Sequence, residues 1–217
     1  MNETLVQLHG GRPLRILCLG AHCDDIEIGC GGTVLRLLEE HAGSHVEYVV
    51  FSSTPKRRKE AEYAASLFLK DAKSEKVSIH EFRDGFFPYE GARIKEEFER
   101  MKQMPSPDVI FTHYRDDLHQ DHRLVQKLTW NTFRGNLILE YEIPKYDGDL
   151  GSPNCFVRLT REQCEKKVSH LVEAFPTQAE KHWFTKDLFL ALLRIRGVEA
   201  GGKSQFAEAF YCRKLVL

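Results

Sequence analysis

Between residues 14 and 143 the chain alternates short apolar runs with stretches of helical spacing. The runs are residues 14–19 (LRILCL), 45–51 (HVEYVVF), 77–82, 107–112 (PDVIFT) and 137–143 (LILEYEI). Between them, Val34, Leu35, Leu37 and Leu38 share one helical face, with Glu39 and Glu40 on the other. Ala61, Ala64, Ala65 and Phe68 do the same across residues 57–69, and helical patterns recur at 94–101 and from His122 onward. Strands alternating with helices of about ten or more residues are βαβ units, which build a parallel sheet with right-handed crossovers. The pattern predicts an α/β, Rossmann-like, doubly wound and mostly parallel sheet with helices on both faces.

After Pro144 the pattern changes. Residues 147–153 (DGDLGSP) are turn-rich, residues 155–159 read as a short strand, and Thr160 with Gln163 has the spacing of a capping box. Two helices follow, and Gly197, Gly201 and Gly202 precede a last strand within 206–217. No repeat or low-complexity segment divides the chain. The expectation is one domain over residues 1–217, with a core at about 12–145 and a helical cap at about 146–217.

Composition narrows the class. The 217 residues carry 31 Lys plus Arg against 32 Asp plus Glu, for a net charge of −1. A dedicated nucleic-acid binder shows a basic excess, so no nucleic-acid partner is expected. No apolar run approaches the roughly 18–20 residues of a membrane span, and the first residues lack a signal-peptide pattern. Six cysteines occur without a CxxC pair, which suits a reduced, cytoplasmic protein.

Reactive residues concentrate in two places. One follows the first run directly: Gly20-Ala21-His22-Cys23-Asp24-Asp25-Ile26-Glu27-Ile28-Gly29-Cys30-Gly31-Gly32. The other follows the fourth: Asp116-Asp117-Leu118-His119-Gln120-Asp121-His122. Ligands of open α/β sheets bind outside the carboxyl ends of the strands, so the clusters converge if the fourth strand lies beside the first. Two imidazoles and one carboxylate hold zinc with a position open for water, and the metal lowers that water's pKa toward about 7. A further carboxylate then serves as base, and a further imidazole as acid or oxyanion stabiliser. Simpler readings stand beside this one. An HxDH string can be a solvated surface, Asp24-Asp25 a helix N-terminal acidic pair, and the glycines a tight turn.

At these residues the sequence resembles the PIG-L/LmbE-like zinc-dependent N-acetylglucosaminyl deacetylases. That family's AHPDD and HPDH motifs stand here as Ala21-His22-Cys23-Asp24-Asp25 and His119-Gln120-Asp121-His122. Arg57-Arg58-Lys59-Glu60-Ala61 with Ala64-Ala65 is similar to its RxxEAxxAA helix. Asp84-Gly85, Arg196-Gly197 and residues 206–210 (FAEAF) match later segments. The resemblance implies His22, Asp25 and His122 as zinc ligands and Asp24 as the base that activates the bound water. It implies His119 as the acid that stabilises the oxyanion and protonates the leaving amine. Asp121 would orient His119 or His122, and Arg57 and Asp84 would contact substrate hydroxyls. The implied reaction is hydrolysis of an N-acetyl amide on a glucosamine-type small molecule. Two-His, one-carboxylate sites also accept Fe(II).

Cys23 and Gln120 replace the two motif prolines, which shape loops and ligate nothing. A Cys23 thiolate is the one added candidate for a fourth ligand. The basic run Lys56-Arg57-Arg58-Lys59 starts a helix against its dipole, and suggests a phosphate or nucleotide group on the substrate. Exposed apolar residues in the last third offer a homo-oligomer interface. The rival readings are an amidase for a non-sugar N-acyl substrate and a catalytically silent sugar- or nucleotide-binding protein.

Overall fold

The computed structural model describes residues 12–202 and 205–216. Among these, seven strands form one sheet: β1 (Arg15–Gly20), β2 (His45–Val50), β3 (Ser74–Ile79), β4 (Val109–His113), β5 (Leu137–Tyr141), β6 (Cys155–Leu159) and β7 (Phe206–Cys212). Their order is β3-β2-β1-β4-β5-β7-β6. The first five run parallel, and β7 is antiparallel to both β5 and β6. The helices are α1 (Asp25–Glu40), α2 (Pro55–Phe68), α3 (Gly91–Met101), α4 (Gln120–Phe133), α5 (Arg161–Ala174) and α6 (Lys186–Glu199). The chain is a single α/β domain, as the alternation of runs predicts.

Successive side chains on a strand face opposite sides of the sheet, and β1 shows it. Ile16 and Cys18 join a core with α1, α2 and α5, while Leu17 and Leu19 join a second core with α3 and α4. Each fully buried aliphatic side chain contributes about 1.5–3 kcal/mol, so burial on both faces fixes β1 as an interior strand. It pairs with β2 on one side and β4 on the other. The loops after β1 and β4 therefore open at one place, the point where the strand order reverses.

Two elements begin earlier than the sequence pattern marks. β3 runs from Ser74 because it is an edge strand whose first three residues are exposed, leaving little apolar signal. α1 begins at Asp25, so Gly29, Gly31 and Gly32 lie inside a helix and form no turn. They are required by close approach. A Cβ on Gly29 would run into the Tyr141 ring, one on Gly31 would come within 2.6 Å of Phe68, and one on Gly32 within 2.5 Å of Leu159.

The last third packs on the core, and it also widens the sheet through β6 and β7. Its attachment uses buried charge. Glu208 on β7 accepts from Gly32 N at 2.8 Å, Thr33 N at 2.6 Å and Lys167 Nζ at 2.5 Å. The Ile28 carbonyl, whose i+4 partner is Gly32, accepts from Lys167 Nζ at 2.6 Å. The ion pair is thus inserted into the middle of the α1 ladder. Arg196 makes a two-armed pair with Glu142, both arms 2.7 Å. The capping box on α5 forms as its spacing predicts, with Thr160 and Gln163 in reciprocal bonds.

Candidate active site

β1 ends at Gly20, and α1 starts five residues later, which leaves His22 and Asp24 in the connecting turn. β4 ends at His113, and α4 starts at Gln120 with His119 as its N-cap. His22 Nδ1 lies 3.2 Å from His122 Nε2 and 3.4 Å from Asp25 Oδ2, and His122 Nε2 lies 3.6 Å from Asp25 Oδ1. Tetrahedral ligands bonded at about 2.0–2.1 Å are about 3.3 Å apart. The two Asp25 distances run to different oxygens. Among the described residues the groups close enough to share an ion are His22-His119-His122, His22-Asp84-His119-Asp121 and Asp25-His113-His122, overlapping sets that include all three expected ligands.

The outer nitrogen of each imidazole is held by a carboxylate. His122 Nδ1 is 2.9 Å from Asp117 Oδ2. His22 Nε2 is 3.1 Å from Asp84 Oδ1 and 3.4 Å from Asp121 Oδ2. Such partners fix the tautomer and orientation of a metal-binding histidine. The Asp121 carboxylate thus faces His22, while the bond to His119 expected of this residue is made by its backbone nitrogen, at 3.2 Å from His119 Nδ1. Gly85 N and Phe87 N, at 2.7 and 3.1 Å, draw the carboxylate toward the loop after β3. Asp117 takes the His122 position. The sequence places it five residues before His122 and gives no sign of this role.

Asp24 is buried, and its Oδ1 lies 2.9 Å from an Arg57 nitrogen. Burial raises the Asp24 carboxyl, the Arg57 charge opposes it, and the net shift is upward. Arg57, expected to contact substrate, lines the cavity and also has an internal role. Its other arm reaches Glu60 at 2.8 Å and Thr177 at 3.0 Å, so the guanidinium is committed within the protein. Asp25 is also buried, but His122, His113 and His22 outweigh that and hold it well below the usual carboxylate range. The adjacent aspartates are thus driven in opposite directions.

His119 Nδ1 accepts from Asp121 N at 3.2 Å, so the proton of the neutral ring sits on Nε2. Its ring meets His22 edge-on at 4.9 Å. Behind the cluster, His113 is fully buried and stacked on His122 at 3.9 Å. Its Nε2 accepts from Ala21 N at 2.9 Å. Cys23 turns away, its thiol donating to the Ser52 carbonyl at 3.3 Å, and burial pushes it up to about 12. Glu27 faces Tyr48 in the core at 2.7 Å, and burial pushes it up to about 8. Glu140 is engaged by Arg115 and Gln126, away from the cluster.

A cavity of about 440 Å³ opens over these residues. Its lining includes His22, Asp24, Asp25, Arg57, Asp84, His119 and His122, but not Asp121, which lies beneath. Arg58 and Lys59 do not line it, and Arg58 is spent on the Ile79 carbonyl and Glu81. The part of the basic run meant to receive an anion is therefore elsewhere. Lys145, Gln178, Lys181 and Trp183 also line it. No motif marks them, because they come from loops brought in by β5, α5 and α6.

A family model described as "PIG-L: GlcNAc-PI de-N-acetylase" matches residues 17–133. The chain belongs to the PIG-L family. The PIG-L match ends with α4, so Lys145, Gln178, Lys181 and Trp183 lie outside it. No curated protein matches the chain significantly. Among solved structures, the conserved protein TT1542 of Thermus thermophilus is similar at TM-score 0.71 and 20% identity, over 94% of this chain and 96% of that one. N,N'-diacetylchitobiose deacetylase from Pyrococcus horikoshii has TM-score 0.69 and 21% identity, over 91% and 83%. GalB, the 4-carboxy-2-hydroxymuconate hydratase of Pseudomonas putida, has TM-score 0.69 and 17% identity, over 94% and 98%. These likenesses show that the chain shares its fold with a hydratase as well as a deacetylase. No helix among the described residues is long and apolar enough to cross a membrane.

Proposed function

We propose that this chain is a metal-dependent hydrolase that removes an N-acetyl group from a small molecule bearing a glucosamine-type sugar. The observation that carries the reading is the pairing of two unlike aspartates. Asp25 stands at ligand spacing with two histidines, while Asp24, next in sequence, is buried outside that triad. PIG-L membership and the deacetylase among its structural relatives favour an amide substrate.

His22, Asp25 and His122 would hold the metal, zinc being the choice that the donor set favours. When bound, it supplies Lewis acidity and brings water toward ionisation at neutral pH. Asp24 takes a proton from the attacking water, and its raised carboxyl pKa brings it closer to the pH at which a general base works best. Arg57 fixes the Asp24 carboxylate by one arm while Glu60 and Thr177 fix the other. His119, carrying its proton on Nε2, donates a hydrogen bond to the oxygen of the reacting carbonyl as charge develops there. As the C–N bond breaks, the proton on Asp24 passes to the leaving nitrogen, giving acetate and a free amine. This takes from His119 the acid role that the resemblance implies, because burial holds its imidazole below the usual range and so neutral. Asp84 is exposed at the cavity edge and is available to sugar hydroxyls.

The test is acetate release from N-acetylglucosamine, its UDP-linked form, an aryl glycoside and an inositol glycoside, with metal-loaded beside metal-stripped protein. We expect metal-dependent acetate from at least one, and its loss in Asp24→Asn with metal content unchanged. Stoichiometric metal without acetate from any of the four would shift the reading to a non-sugar amide. If neither metal nor acetate is found, the chain is a binding protein.

A further inference from the structure

Three cations line the catalytic cavity: Arg57, Lys145 and Lys181. Two are neutralised by the protein itself. Arg57 is paired with Asp24 and Glu60, and Lys145 with Asp149 and, at 3.0 Å, with Asp117. Lys181 is different. Among the described residues its ammonium has no carboxylate partner, and it rests instead over the Trp183 ring, 5.3 Å from the centroid. Asp147 also lines the cavity and makes no ion pair with it.

The turn that carries Lys181 is firmly placed. Lys181 N donates to the Gln178 carbonyl and Phe184 N to the Lys181 carbonyl, both at 2.9 Å. One turn earlier, Thr177 donates to Glu60 of α2 from its backbone nitrogen at 2.8 Å and from its hydroxyl at 2.6 Å. The same Glu60 holds Arg57, which holds Asp24. Lys181 therefore sits on a wall anchored to the machinery that positions Asp24. Its charge is felt there, being one of those that oppose the effect of burial on that carboxylate. Two buried polar atoms beside it, Gln178 Oε1 and Trp183 Nε1, have no hydrogen-bond partner.

An ammonium held against an aromatic face, on a fixed turn and without a carboxylate, is prepared for an external anion. We infer that the substrate carries an anionic substituent, a carboxylate or a phosphate, away from its acylamide, and that Lys181 receives it. The inference rests on the proposed amide hydrolysis and names the class of molecule that site takes. It also places the anion on a loop beyond the family match, where members of one fold can differ in specificity.

The experiment uses three aryl N-acetylglucosaminides that differ at one ring position: a carboxylate, a phosphate monoester and a neutral methyl ester. Each is titrated into the metal-loaded protein while tryptophan emission is followed. The chain has two tryptophans, so a Trp130→Phe background leaves Trp183 as the reporter. We expect at least one charged ligand to bind about tenfold more tightly than the ester, as charge-assisted hydrogen bonds do. The ratio should shrink with added salt, approach one in Lys181→Ala, and return in Lys181→Arg. The relative affinities of carboxylate and phosphate identify the group. Equal binding of charged and neutral ligands, no binding of any, or a preference that survives Lys181→Ala overturns the inference. Acetate release from the same three compounds reads the parent proposal separately. Acetate without charge preference removes only the anion, and charge preference without acetate removes only the hydrolysis.

Discussion

His122 Nδ1 and Asp117 Oδ2 are 2.9 Å apart, and this bond leaves His122 Nε2 facing Asp25 and His22. Asp117 also accepts from His119 N at 2.8 Å and pairs with Lys145, so one carboxylate sets the posture of both histidines of the second motif. Replacing Asp117 by Asn should lower metal affinity about 10–100-fold, the usual effect of removing such a partner. Competition with a chromogenic chelator measures it. Unchanged affinity would show that packing alone orients His122.

Arg57 holds Asp24 with a rigid fork that a lysine cannot reproduce. Arg57→Lys should therefore lower kcat at least about tenfold while leaving KM and metal content near the parent values. A change confined to KM would return Arg57 to the role of substrate contact.

The glycines of α1 predict a contrast within one residue type. Gly29→Ala drives a methyl group into Tyr141 and should cost about 1–3 kcal/mol as an overpacked core does. Gly91→Ala, in the first turn of α3 with open space around it, should stabilise by up to about 1 kcal/mol. Urea unfolding of both variants settles the comparison, and equal effects would contradict it.

Glu208 satisfies two helix amides and one ammonium, whereas Lys167 satisfies a carboxylate that keeps two other donors when the lysine is lost. Glu208→Ala should thus cost about 3–5 kcal/mol, the range for breaking a buried pair, and more than Lys167→Met. The reverse ranking would show that the lysine contact to Ile28 matters more.

His80, stacked on Phe51, is buried enough that its imidazole is held below the usual 6.5. Below pH 6.5 the unfolded chain takes up a proton that the folded chain resists, so this contribution to stability is lost as pH falls from there through the folded value. His80→Gln should flatten that part of the stability profile between pH 7 and 5. An unchanged slope would assign it to other groups.

The fold was legible because β1, β2, β4 and β5 are covered on both faces and so read as continuous apolar runs. The candidate metal triad was legible because its members follow β1 and β4 directly, and the sheet order does the rest. Asp117 and Asp121 were harder to separate. They are four residues apart, Asp117 in the loop before α4 and Asp121 in its first turn, and the backbone amides of Gly85 and Phe87 draw only Asp121 toward the loop after β3. Lys181 and Trp183 could not be assigned at all. Their loop reaches the cavity through Thr177 and Glu60, a contact between residues 117 positions apart, and no local pattern records it.

The ion pair inserted into α1 has a bearing on how the protein is made. Gly32 and Thr33 find their acceptor only when β7, about 175 residues further on, has docked. A contact of that span is slow to form, since loop closure must precede it. The helix that presents Asp25 therefore gains these two contacts only once β7 has joined the sheet, which couples the setting of the candidate metal site to sheet assembly.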